Sequence, residues 1–473
     1  MTGPLHLRDV EVDGARVDVT IEGGRVSRTG SSLPVPAGAE VVEGAGGALL
    51  PGLWDHHIHV VALAAARRSV PVGPPAVADE DGLAGALRHA AAGGGWVRAV
   101  GYHESVAGLL DRDDLDRLAP GAPVRVQHRS GACWILSDAA VQQLGLDGDP
   151  DLPAGVERAP SGRLTGRVYG ADRWLRERLD RVGPEPSPDL ADVGRELAGY
   201  GIVGVTDATP YEHLADLDLL ARAAATGELP QRVVAMGGPA LADEQLPAPL
   251  GRGPVKLLLA DHSLPSLDEL VGWIATAHAA GRPVAAHCVT RAALVLALAA
   301  LDEVGAAAGD RIEHGSVVPP ELVPALRDLR LTVVTQPGFV AERGDRYLDD
   351  VDADDRPHLY PCRSLLDAGV PVAGSTDAPF GHPDPWRAVA AAIDRRTAGG
   401  QPLGPGEAVD PATALGLLLG PPDDPGGRRR RVEPGAAADL CLLDAPLADA
   451  LAEPSAERVR LTAVDGAVVH RRS

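Results

Sequence analysis

The sequence predicts an α/β fold: a (β/α)8 TIM-type barrel with an insertion after strand 1, plus a small β-sandwich formed by the N- and C-terminal segments. Three observations predict it. Short apolar runs alternate with helical ones through most of the chain, which is the pattern of a parallel sheet. Polar residues able to bind metal recur at the ends of those runs. Both termini read as short alternating strands broken by glycine turns, too few at either end to be stable alone.

A chain of 473 residues suits a large barrel with a smaller unit beside it. Apolar residues make up 45% and aromatics only 3%, so the core must rest on Val, Leu, Ala and Ile. The formal charge is −22. Such a surface repels nucleic acid and anionic membranes, which leaves a small molecule as the expected partner. A homo-oligomer is compatible with the sequence. The one basic block, Arg428–Arg431, lies beside Asp423 and Asp424 and reads as a solvated loop. Cys133, Cys288, Cys362 and Cys441 form no C-x-x-C pair and suggest no disulfide framework. No signal-peptide pattern is present, and no apolar run approaches the roughly 18 residues of a membrane span. The cytoplasm is therefore the expected compartment.

Residues 1–52 and 432–473 are assigned to the composite sandwich. At one end Val10–Val12 and Arg16–Ile21 are strand-like, with a turn at Glu22-Gly23-Gly24. At the other, Ala438–Leu443 and Val459–Val464 are strand-like, and Asp465-Gly466 is a hairpin turn signal. Residues 53–431 are assigned to the barrel. Its candidate strands are 53–59, 97–101, 123–128, 202–207, 231–236, 254–260, 283–287, 310–314, 331–336 and 371–376. That is two more than a barrel needs. The second and third lie in a stretch rich in Gly, Pro and charge, at about 66–200. Taken as an insertion after strand 1, that stretch leaves eight strands and is expected to cap the barrel mouth.

The strongest motif is Pro51-Gly52-Leu53-Trp54-Asp55-His56-His57-Ile58-His59. Residues i and i+2 of a strand share a face, so His57 and His59 project together and can bind one divalent ion. Asp55 shares their face and is a candidate supporting partner, whereas His56 faces the other way. His287, His314 and Asp377 close strands 5, 6 and 8, and Lys256 lies within strand 4. Polar groups at the C-terminal ends of barrel strands read as catalytic rather than structural. A lone His at a strand end is more often a hydrogen-bonded core residue than a ligand. Four of them with an Asp, in this strand order, reverse that preference. His103, His128 and His262, with Arg129 and Trp134, fall near expected mouth loops and are candidate substrate contacts. Cys288 follows a candidate ligand but points away, toward packing.

The order H-x-H, Lys, His, His, Asp on strands 1, 4, 5, 6 and 8 resembles the binuclear amidohydrolase superfamily, in particular the YtcJ-like amidohydrolases (amidohydrolase family 3). The insertion and the segment Gly101-Tyr102-His103-Glu104-Ser105 are also similar to that group. The likeness spans nearly the whole chain and departs in one place. Many members end a T-G-x-φ-x-E segment (φ apolar) on an acid, where this chain reads Thr165-Gly166-Arg167-Val168-Tyr169-Gly170, so no role for that acid is carried over.

The resemblance implies His57, His59 and Asp377 on a first metal, and His287 and His314 on a second. A carboxylated Lys256 and a hydroxide would bridge the two. Asp377 would shuttle the proton from hydroxide to leaving amine. Nitrogen and oxygen ligands suit zinc, while manganese, nickel and iron fit too. The activity implied is hydrolysis of a non-peptide C–N bond (amide, N-acyl or N-formyl amine, or cyclic imide) by a metal-activated hydroxide. The alternatives are a mononuclear aminohydrolase (deaminase), or a noncatalytic protein of the same fold.

Composition adds one observation. The chain has no asparagine, and Lys256 is its single lysine. A GC-rich coding sequence explains arginine in lysine's place elsewhere, but not why this one lysine remains.

Overall fold

The apolar runs of the central chain form parallel strands. The computed structural model describes residues 3–183, 187–261 and 263–472. The chain divides into two units, residues 1–60 with 190–473, and residues 61–189.

In the first unit, Leu53–Ile58 (β1), Ile202–Asp207 (β2) and Arg232–Ala235 (β3) pair in that order, and Gly251–Arg252 extends the arc. A second arc runs through Val255–Leu257 (β4), Val284–Cys288 (β5), Arg311–His314 (β6), Thr332–Thr335 (β7) and Val372–Gly374 (β8). Each of β1 to β8 lies within a predicted run or passes its end by one residue, whereas Gly251–Arg252 precedes the run at 254–260. Individual bonds link the arcs. Asp377 N donates to His57 O at 2.9 Å, His59 N to Ala378 O at 2.9 Å and Lys256 N to Gly237 O at 2.8 Å. Helices follow strands in the βα manner. Leu267–Ala279, after β4, starts on a Ser266–Glu269 capping box, and Arg291–Val304, after β5, is capped by Thr290.

These strands read as near-continuous apolar runs because both of their faces are buried. Leu53, Ile58, Ile202, Val205, Val284, Ile312 and Val333 are wholly enclosed. Room for Trp54 comes from Gly204 on the neighbouring strand: a Cβ there would lie 2.2 Å from the indole ring. The same indole donates to Thr206 Oγ1 at 3.0 Å, which fixes the ring. Gly204→Ala should therefore cost about 1–3 kcal/mol by overpacking. Urea unfolding measures this, and an unchanged midpoint would mean the indole can give way.

The termini form two four-stranded sheets. One contains Leu5–Val12, Ala15–Glu22, Arg25–Gly30 and Glu40–Glu43. The other joins the two ends of the chain, pairing Leu49–Pro51 with Leu440–Leu443, followed by Val459–Val464 and Ala467–Arg471. Leu7, Val19, Ile21 and Val26 share one apolar core with Leu440, Leu442 and Leu461. Asp465 and Gly466 both take positive φ, as a tight hairpin turn requires. The Arg428–Arg431 block is not wholly solvated, which corrects the sequence reading. Arg430 turns inward, donating to Gly52 O at 2.7 Å and Gly420 O at 3.1 Å, while Arg431 pairs with Asp13 at 2.5 Å.

The second unit is built on a six-stranded sheet, with Val156–Arg158, Leu164–Tyr169, Cys133–Leu136, Val124–His128, Val97–Tyr102 and Val70–Pro71 in that order. The two surplus candidate strands are here, paired with each other. Trp134 is a core residue of this unit, packed with Leu136, Val168 and Leu175, with its indole donating to Asp172 at 2.7 Å. That burial gives Trp134 a packing role within this unit. Among the described residues all four cysteines are buried and unpaired, and no helix is long and apolar enough to cross a membrane.

Candidate metal centre

Six of the sequence-predicted residues belong to the first unit: His57, His59, Lys256, His287, His314 and Asp377. At the end of β1 the imidazoles of His57 and His59 turn their Nε2 atoms to one oxygen, Asp377 Oδ1, at 3.5 and 3.4 Å. Each ring is held from behind. His57 Nδ1 meets Glu313 Oε2, and His59 Nδ1 meets Thr209 Oγ1 at 2.9 Å. Lys256 Nζ lies 3.4 Å from His57 Nε2. On the next strands, His314 Nε2 and His287 Nδ1 face each other at 2.9 Å. The His57 and His314 rings are 4.7 Å apart, which makes one cluster of the set.

Burial sets the protonation states. It pushes His57 and His314 well below the usual imidazole range and His287 down to about 3. Neutral imidazoles offer lone pairs. Burial also lowers Lys256 to about 8. It raises Asp55 to about 7, against the hydrogen bonds from Thr376.

The sequence reading missed the supporting residues. Glu313 binds His57 Nδ1 and accepts from Arg311 Nε at 2.5 Å, and Arg311 also donates to His56 O at 3.1 Å. Gln336 Oε1 faces His314 Nδ1 at 2.8 Å, while the Gln336 amide donates to Ser375 Oγ at 2.9 Å. The signal available for Glu313 was an acid inside a barrel strand, two residues from Arg311. Asp55 supports the centre through the backbone of its neighbours. It accepts from His57 N at 3.2 Å, Thr376 N at 3.1 Å and Thr376 Oγ1 at 2.5 Å, and so ties β1 to the segment carrying Asp377. His314 and Asp377 are both non-glycine residues at positive φ, 67° and 56°. Cys288 is buried, as its orientation predicted.

The candidate substrate contacts His103, His128, Arg129 and Trp134 all belong to the second unit. His103 and His128 meet Glu104 there, Arg129 N donates to Tyr102 O at 2.8 Å, and Trp134 is core. His262 lies outside the described residues.

The donor set fits a divalent ion. Asp377 Oδ1 is buried and accepts no hydrogen bond among the described residues, which is costly for a carboxylate oxygen. His57, His59 and Asp377 present donor atoms within 4.8 Å of one another. Bonds of about 2.1 Å in tetrahedral geometry would place ligand atoms about 3.4 Å apart, close to the separations seen. The residue behind each ring meets the general requirement that a ligating imidazole be oriented by its other nitrogen.

A family profile described as the amidohydrolase family matches residues 40–470. The chain is 26% identical over 517 aligned positions to an N-substituted formamide deformylase of Arthrobacter pascens, covering 96% of this chain and 95% of that protein. It is 24% identical to the putative amidohydrolase YtcJ of Bacillus subtilis (strain 168), covering 81% of this chain and 82% of that one. The solved structure of an uncharacterized metal-dependent hydrolase from Pyrococcus horikoshii OT3 shares the fold, with a TM-score of 0.73 at 20% identity, covering 96% of this chain and 100% of that one. With a profile match across most of its length, the chain belongs to the amidohydrolase family, in its YtcJ-like branch, and is a hydrolase of carbon–nitrogen bonds.

Proposed function

We propose that the protein hydrolyses a small non-peptide amide, with N-substituted formamides as the first substrate class and N-acyl amines and cyclic imides after them. The centre would hold two divalent ions, with His57, His59 and Asp377 serving one, His287 and His314 the other, and a carboxylated Lys256 serving both. The two parallel arcs are read as one eight-stranded barrel and the terminal sheets as a composite sandwich. The observation that carries the proposal is the buried Asp377 oxygen without a hydrogen-bond partner, set between two fixed imidazoles. The likeness to a formamide deformylase over nearly the full chain supports the substrate class.

When bound, the metal supplies a water acidified to near neutral pH and polarises the scissile carbonyl. Asp377 takes the proton given up during attack and returns it to the leaving amine nitrogen. Glu313 and Thr209 keep the His57 and His59 rings aimed, so no reorientation is needed at the moment of reaction. A Lys256 amine lowered to about 8 is partly neutral near physiological pH, and the neutral amine is the form that adds carbon dioxide.

Glu313→Gln should keep the fold and weaken zinc binding by about 10- to 100-fold, because the replacement amide orients the ring less strongly than the carboxylate. Competition against a chelating dye reads the change directly, and an unaltered affinity would remove Glu313 from the centre. For the function itself, zinc- or manganese-loaded protein should release formate from N-alkylformamides, and chelation should abolish the release until metal is restored. Release of ammonia from an aminated heteroaromatic ring, with one ion per chain and amides untouched, would replace this reading with the deaminase. Absence of both bound ion and turnover would leave a noncatalytic protein.

A further inference from the structure

We infer that His103, Glu104 and His128 form a second divalent-cation site, made entirely of residues from the 61–189 unit and sharing no donor with the centre described above. Two neighbouring strands build it in the same way. Val97–Tyr102 and Val124–His128 run parallel, with Tyr102 opposite His128. Each leads into a His-x-Ser segment, His103-Glu104-Ser105 and His128-Arg129-Ser130. In both, the ring Nδ1 packs against the hydroxyl of the serine two residues on, at 2.9 Å for His103 and 2.7 Å for His128. That contact fixes each ring. Both Nε2 atoms are left turned to the same oxygen, Glu104 Oε2.

The distances favour an ion over a simple hydrogen-bonded clamp. His128 Nε2 is 3.1 Å from Glu104 Oε2, and His103 Nε2 is 3.6 Å from it. The second separation is too long for a hydrogen bond. Ligands of one tetrahedral zinc are about 3.4 Å apart, and the two values bracket that spacing. All three donor atoms lie within 4.8 Å of one another. Two imidazoles and one carboxylate suit zinc, cobalt or nickel rather than magnesium or calcium. The Glu104 side chain is partly exposed, giving an ion a path in and leaving a further coordination position open to water.

A proton competes for the same atoms. The amides of Ser105 and Ser130 also point at the two Nδ1 atoms, at 3.2 and 3.1 Å. Without an ion, Nδ1 accepts from the amide and Nε2 carries the hydrogen. With an ion, Nε2 gives its lone pair to the metal and the hydrogen moves to Nδ1, which gives up the bond from the serine amide and donates to the serine hydroxyl instead. Each ring thus reports binding by changing tautomer, with no change in its net protonation.

The test is zinc stoichiometry and imidazole nitrogen NMR on the full chain. Glu104→Gln and His128→Gln should each bind one zinc fewer than the wild type. A His57→Asn/His59→Asn chain should retain the zinc that Glu104→Gln removes. Saturating zinc should shift His103 and His128 from the Nε2–H to the Nδ1–H form. Glu104→Gln is nearly isosteric at a partly exposed position, so it remains informative even if His128→Gln fails to fold. A Glu104→Gln chain with the full zinc complement, or rings that keep Nε2–H at saturating zinc, would overturn the site.

Discussion

Asp377→Asn should leave the fold intact and most of the metal bound, yet lower kcat by at least about 10²- to 10⁴-fold, the usual worth of general acid–base catalysis. The asparagine side chain retains an oxygen for coordination, so the defect should appear in turnover and not in metal content. Its amide cannot take a proton from water and return it to an amine. The position is demanding in a second way. Asp377 has φ 56°, a region that Asn and Asp tolerate better than other non-glycine residues, so Asn is the replacement least confounded by backbone strain. Asp377→Ala would mix loss of the carboxylate with that strain. The measurement is kcat on a confirmed substrate, alongside zinc content and melting temperature. Near-normal turnover in Asp377→Asn would remove the residue from proton transfer.

Lys256→Arg should bind fewer ions than the wild type and lose turnover altogether, although it preserves charge. The side chain is buried in a short apolar strand beside His57. Burial lowers the lysine to about 8, whereas a guanidinium stays charged and cannot form a carbamate. Arginine also adds volume where Val255 and Leu257 are fully enclosed. Lys256→Ala separates these effects. It leaves space rather than charge, and added short carboxylates such as acetate or propionate should restore part of the metal content and activity. Full metal occupancy and normal turnover in Lys256→Arg would exclude a carboxylated lysine and favour the one-metal deaminase.

Much of this architecture is legible in the order of residues. A strand buried on both faces must be apolar along its length, so the runs at 202–207, 283–287 and 331–336 declare themselves. Each matched a strand to within a residue at either end. The H-x-H pair follows from period-two alternation. Lys256 stands out because composition has replaced lysine everywhere else.

Glu313 could not be read that way, for a physical reason. If His314 faces the centre, strict alternation sends Glu313 to the opposite face, yet both reach it. The alternation is broken at His314 itself, whose φ of 67° turns the side chain back. A non-glycine residue enters that region only when its surroundings hold it there, and no local pattern announces them. The same limit applies to Thr209 and Gln336, which lie 150 and 22 residues from the imidazoles they orient. It applies also to Asp55, whose face was legible but whose partner Thr376, 321 residues away, was not.

The sequence alone therefore determined the parallel strands, their order and the residues at their ends, because burial and alternation act within a few residues. Only the tertiary structure decided which groups stand behind those residues, and that Trp134 serves a core while His103, Glu104 and His128 converge. Those outcomes depend on strands brought together from distant parts of the chain and on backbone angles that only the assembled fold can enforce.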